Sequence, residues 1–185
     1  MQRLMTSKKI PASSLCFGTM QFGGKSSFSE SNTIYQSCRD SGINFFDTAH
    51  VYNEGRSEEF LGSVSCSERE NIIIATKAAY DCPATKKNIL TSFDESRKRL
   101  KSDFVDILYM HRWDNHVPLE ETLTGLAELK QQGLIRYIGV SNYSAWQTMK
   151  AQAICHNLNI SIDVIQPMYS LVKRQAEVEI LPMAL

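Results

Sequence analysis

The sequence predicts an α/β chain that lays down about six βα units of a TIM-type (β/α)8 barrel and ends before the eight that close one. Three observations carry this expectation. Short β-rich runs recur roughly every 30 residues, the size of one βαβ unit. Amphipathic helical patterns fill the gaps between them. The polar residues of chemical interest fall at the C-terminal ends of five different runs, where a barrel builds its active site.

The runs are Leu15-Cys16-Phe17, Ile43-Asn44-Phe45-Phe46, Ile72-Ile73-Ile74-Ala75, Phe104 to Tyr109, Arg136 to Val140 and Val164-Ile165. They are short, mostly apolar and bounded by polar loops, as buried parallel strands are. Between them, Ile89, Leu90, Phe93 and Leu100 form one helical stripe, and Leu119, Leu123, Leu126 and Leu129 another. Pro118 suits a first helical position, and Glu120 and Glu121 a first turn. Gly42 and Gly133 fall where helices end and strands begin. A last helix starts near Arg174. Strict βα alternation leaves two architectures, an open doubly wound sheet or a closed barrel. The first βα turn, Gly18-Thr19-Met20-Gln21-Phe22-Gly23-Gly24, has no G-x-G-x-x-G, which argues against the open dinucleotide-binding sheet. A barrel needs eight strands and typically ~250 residues. Residues 1–185 therefore read as a single truncated barrel domain.

Bulk properties narrow the class. The 185 residues are 43% hydrophobic, and 20 basic residues balance 20 acidic ones. That balance argues against a nucleic-acid or anionic-membrane partner. The basic stretch Arg97-Lys98-Arg99 with Lys101 reads as a solvated helix face. Five cysteines without a Cys-x-x-Cys pair point to a reducing compartment. No signal-like or membrane-length apolar window occurs, so a cytoplasmic protein is expected.

Asp47-Thr48-Ala49-His50-Val51-Tyr52 follows the second run, and Thr76-Lys77 ends the third. His111 ends the fourth, Ser141-Asn142 the fifth, and Gln166-Pro167-Met168-Tyr169 the sixth. Parallel adjacent strands would turn Asp47, Tyr52, Lys77 and His111 into one mouth. A tyrosine is a poor acid at neutral pH, but an ammonium within about 4–6 Å favours its phenolate. A carboxylate holds that lysine charged, and a histidine can polarise a carbonyl oxygen. The sum is a general acid aimed at a developing alkoxide, which suits carbonyl reduction by hydride from a cofactor.

The ordered set Asp-Thr-Ala-x-x-Tyr, Ala-Thr-Lys, a histidine closing strand four, Gly-Val-Ser-Asn and Gln-x-x-Tyr resembles the aldo-keto reductase superfamily. Gly55-Arg56-Ser57-Glu58, Arg99-Leu100 with Asp103 and Asp106, and Leu129-Lys130 with Gly133-Leu134-Ile135-Arg136 support it. The resemblance implies that Tyr52 is the proton donor, tuned by Asp47 and Lys77, and that His111 orients the substrate carbonyl. It implies that Ser141, Asn142 and Gln166 hold a nicotinamide carboxamide, that Tyr169 stacks on the ring, and that Thr19 and Met20 border the cofactor. The cofactor so implied is NADP (NADPH), with NAD left open because the 2′-phosphate site of the family lies beyond the chain end. The substrate implied is a small-molecule aldehyde or ketone, and no metal is implied. Asn53 stands where many members have glycine, and Arg97 replaces a commonly apolar position. Because the parts that grip the adenosine phosphates lie beyond residue 185, the chain is expected to be a fragment and not a competent enzyme by itself.

Taken singly, each residue has a plainer role. Asp47 could cap a turn, Lys77 could be a solvated or an aldolase-type Schiff-base lysine, and His111 could be structural. Tyr52 and Tyr169 could be packing residues, and Trp113 could be a substrate wall or core. His111, Asp114 and His116 lack a helical metal-ligand spacing. The joint placement at consecutive strand ends favours the catalytic reading. The alternative is a non-catalytic truncated barrel acting through protein interaction.

Overall fold

The computed structural model describes residues 4–185. Six parallel strands pair in chain order: β1 (Phe17–Gly18), β2 (Phe45–Asp47), β3 (Ile73–Ala78), β4 (Val105–Met110), β5 (Ile135–Ser141) and β6 (Val164–Gln166). Helices α1 (Phe28–Asp40), α2 (Arg56–Ser65), α3 (Lys86–Arg99), α4 (Leu119–Gln131) and α5 (Ala145–Asn157) connect them, and a short α6 (Ile180–Ala184) follows β6. This is an incomplete (β/α)8 barrel. Among the described residues β1 and β6 are edges, each paired on one side only. All the strands end one to three residues later than the apolar runs do. Parallel pairing continues past the last apolar side chain into the polar residues of the mouth.

Local chemistry explains the helix ends. Ser27 and Ser144 form capping boxes with Glu30 and Gln147, and Thr85 caps α3. Gly42 (φ 78°) and Gly133 (φ 72°) adopt the left-handed conformation just past α1 and α4. Pro118 caps α4 from outside, one residue earlier than its expected place. The helix expected from Arg174 is instead a 3-10 turn at Gln175–Glu177 followed by the five residues of α6.

Alternation along the strands sorts side chains to two sides of the sheet. Ile72, Ile74, Val105, Leu108, Met110, Ile138 and Val140 pack outward against the buried helix stripe of Ile89, Phe93, Leu100, Leu123, Leu126 and Leu129. Ile73, Ala75, Ile107 and Tyr109 form the inner cluster, with Phe45, Tyr137 and Val164 against it. Gly139 sits opposite Tyr109, and a Cβ there would drive into the tyrosine ring.

The end of the sheet away from the mouth is held by charge. Asp106, fully buried, accepts from Arg69 at 2.8 Å, Arg136 at 2.7 Å and the Ile74 amide at 3.0 Å. Arg136 also donates to the carbonyls of Met5 and Thr6, and the Met5 amide donates to the Tyr137 hydroxyl. The segment before β1 is thereby fastened beneath β5. Arg99 departs from the solvated face expected of it: only 25% of its side chain is exposed, and it reaches the buried Glu58 at 3.3 Å. Arg97 and Lys98 do stay outside, paired with Asp94.

Candidate active site

The same alternation that lines the inner cluster with Ile73 and Ala75 places Lys77 next on that side, and after Ile107 and Tyr109 it places His111. Register then sets their neighbours. Asp47 lies opposite Ala75, Lys77 opposite Tyr109, and Ser141 opposite Gln166.

Lys77 is 1% exposed, and its ammonium has three protons to place. One goes to Asp47 Oδ2, one to the Thr48 carbonyl at 2.8 Å, and one to the Tyr52 hydroxyl oxygen at 3.2 Å. With the lysine donating, the Tyr52 oxygen accepts, and its own proton must point away from Lys77. The same three contacts hold the Lys77 nitrogen against Asp47, Thr48 and Tyr52. Burial raises the Asp47 carboxyl above its ordinary value, and Lys77 and Gln166 act in the opposite direction. His111 meets the Tyr52 ring edge-on at 5.8 Å. Burial first, then the charges of Lys77 and Arg112, push its pKa from 6.5 down to about 4, so the ring is neutral near pH 7. Its Nδ1 is buried without a partner among the described residues.

The Tyr52 loop is set by an unusual backbone. Asn53, Glu54 and Gly55 follow the tyrosine at φ values of 52°, 60° and 90°. Asparagine tolerates the left-handed region, so it can stand where a glycine would serve. The Asn53 side-chain amide also donates to the carbonyls of Met20 at 2.7 Å and Phe22 at 2.8 Å, tying this loop to the one after β1. Ser57 bonds both Thr19 and Thr48 through its hydroxyl. Glu58, fully buried, accepts from Thr76 at 2.6 Å. The stretch Gly55 to Glu58 thus braces residues on either side of Asp47 and Lys77.

Ser141, Asn142 and Gln166 gather beside this group. Ser141 donates to the Gln166 carbonyl, and the Asn142 amide donates to the His111 carbonyl at 2.9 Å. Gln166 Nε2 donates to Asp47 Oδ1 at 3.1 Å, joining β6 to β2 across the mouth. Asn142 Oδ1 and Gln166 Oε1 accept no hydrogen bond among the described residues. Two free amide oxygens and the second Nε2 proton of Gln166 form a donor and acceptor set that fits a nicotinamide carboxamide.

The remaining expected residues lie farther from this centre. Thr19 is buried, its hydroxyl bonded to the Asp47 carbonyl, and Met20 is half exposed. Tyr169, 52% exposed, donates to Glu177 at 2.6 Å and makes no hydrogen bond to the four central side chains among the described residues. Trp113 stacks edge-on against Tyr143 and Trp146, with its indole N–H on Asn115. Sequence reasoning passed over Tyr80, whose ring lies 4.7 Å from that of His111. Its only signal was an aromatic three residues past Lys77.

The aldo/keto reductase family model matches residues 14–185. A probable voltage-gated potassium channel subunit beta from Arabidopsis thaliana is 36% identical over 94% of the chain and 57% of its own length. L-glyceraldehyde 3-phosphate reductase from Escherichia coli O157:H7 is 35% identical over 90% of the chain and 51% of its own. Aldo-keto reductase YhdN from Bacillus subtilis is 36% identical over 95% and 55%. The chain spans about half the length of the curated relatives it matches.

Proposed function

The chain belongs to the aldo/keto reductase family, and from that premise we propose that its mouth reduces the carbonyl of a small aldehyde or ketone to an alcohol with a nicotinamide cofactor, preferentially NADPH. The observation that carries the reading is the Lys77 ammonium, whose donation to the Tyr52 oxygen leaves the phenolic proton directed away from it.

The residues divide the work. His111, neutral near pH 7, donates a ring N–H to the substrate oxygen and holds the carbonyl beside Tyr52. Tyr52 gives its proton to that oxygen as negative charge gathers there. Lys77 stabilises the phenolate that remains, and Asp47 keeps Lys77 charged and in place. Ser141, Asn142 and Gln166 would hold the carboxamide of the cofactor, with Thr19 and Met20 at its border. Tyr169 would stack on the ring after leaving Glu177, and Trp113 would wall the substrate pocket. When bound, the cofactor supplies the hydride. A cytoplasmic setting fits this chemistry. Among the described residues no helix is long and apolar enough to cross a membrane.

A second reading, a barrel part that works through protein contacts, draws on the two sheet edges at β1 and β6. One experiment separates the two. The chain completed to a closed barrel is titrated with NADPH by its fluorescence and assayed for NADPH oxidation with 4-nitrobenzaldehyde, beside its Tyr52→Phe variant. The expected result is saturable binding in both proteins and aldehyde-dependent turnover reduced at least about 100-fold in the variant. Turnover unaffected by the substitution overturns the role of Tyr52. Absence of both binding and turnover favours the second reading.

A further inference from the structure

The rim outside His111 carries an arginine that none of the roles above uses. Ala79, just past β3, turns at φ 57° and is followed by Tyr80, which is half exposed with its ring against His111. Arg112, next to His111 in the chain and exposed, places its guanidinium 5.4 Å from the Tyr80 ring centre, within cation–π range. Its charge therefore lies no farther from the imidazole than the two steps through Tyr80 together.

Partnership sets Arg112 apart. Each of the other seven arginines among the described residues has a carboxylate at 3.9 Å or closer, buried or not. Arg112 has none, and it makes no hydrogen bond among the described residues. Neither acid near it forms an ion pair with it among the described residues. Asp114 is occupied by the amides of Ala84 and His116, at 2.9 and 2.8 Å. Asp81 forms no ion pair there, and its charge bears on His111 less strongly than that of Arg112. A guanidinium is a rigid planar fork matched to an oxyanion, and this one stands unpaired at the lip of the site with an aromatic wall beneath it.

We propose that Tyr80 and Arg112 form a subsite for an oxyanion carried by the carbonyl substrate, so that the mouth selects aldehydes bearing a carboxylate or phosphate. The proposal rests on the reading of Tyr52, Lys77 and His111 as the reducing centre. An anion drawn to Arg112 would swing its carbonyl end toward His111, and the Tyr80 face would support the segment between.

The test compares molecules that differ only in charge. NADPH-dependent reduction of 4-carboxybenzaldehyde is measured against its methyl ester, with 4-formylphenyl phosphate as a third arm that separates a carboxylate from a phosphate preference. Wild type, Arg112→Leu and Arg112→Lys are compared. The wild type should show an acid-to-ester ratio in kcat/KM above one. That ratio should fall about tenfold in Arg112→Leu, the effect of removing one charge-assisted contact, and recover partly in Arg112→Lys. Raising the ionic strength should erode it in the wild type. An ester reduced as well as the acid and the phosphate, with a ratio indifferent to Arg112, overturns the subsite and leaves the reducing centre standing. If no aldehyde is reduced, the reducing centre fails, and binding decides the subsite. Terephthalate is then titrated against tryptophan fluorescence, with Trp113 one residue from Arg112. Saturable quenching weakened about tenfold in Arg112→Leu supports the proposal, and its absence in wild type overturns it.

Discussion

Lowering the pH from 7 to 5 is expected to cost the folded chain about 1–2 kcal/mol through His111 alone. The imidazole is 7% exposed, and burial with the charges of Lys77 and Arg112 takes its pKa from 6.5 to about 4. As the pH falls through 6.5, the unfolded chain takes up a proton at this position and the folded chain does not. The contribution is therefore fully present above 6.5, is lost progressively toward 4, and does not change further below that. At 1.36 kcal/mol per pH unit the whole loss is about 3 kcal/mol, of which about 2 falls between pH 7 and 5. Water at the open mouth screens part of it, which sets the lower figure. The assay is urea unfolding of wild type and His111→Gln at pH 7 and 5 in the same salt. Other titrating groups are common to both proteins, so the variant should lose about 1–2 kcal/mol less on acidification. An equal loss in the two proteins would refute the argument that His111 is held neutral by its surroundings.

Two further outcomes follow from the geometry. Asp106→Ala strands Arg69 and Arg136 around an empty position and should lower stability by about 3–5 kcal/mol in denaturant unfolding. A loss below about 1 kcal/mol would show that the cluster is replaceable by water. Ser141→Ala combined with Asn142→Ala should weaken NADPH binding about tenfold by fluorescence titration, through lost carboxamide contacts. An unchanged isotherm would remove both residues from the cofactor site.

The alternation of apolar runs and amphipathic stripes is local chemistry, so the sequence by itself determined the βα order, the helix caps at Gly42 and Gly133, and the residues at each strand end. It also determined that Asp47, Tyr52, Lys77 and His111 follow successive strands, because in a parallel sheet every strand presents its C-terminal end to the same side. What it left open depends on contacts between residues far apart in the chain. Asp106 and Arg136 were legible only as motif positions. Their shared burial with Arg69 arises because the register of β4 and β5 brings them to one place. Gln166 reaches Asp47 across 119 residues only because the sheet curls, and curvature has no local signature. Arg99 read as a surface charge until α3 packed beside α2 and offered it Glu58. Arg112 and Tyr80 leave separate strands, and only the pairing of β3 with β4 brings an unpaired guanidinium beside His111. Tertiary structure decided these because ion pairing and stacking act over a few ångströms of space, whatever the distance along the chain.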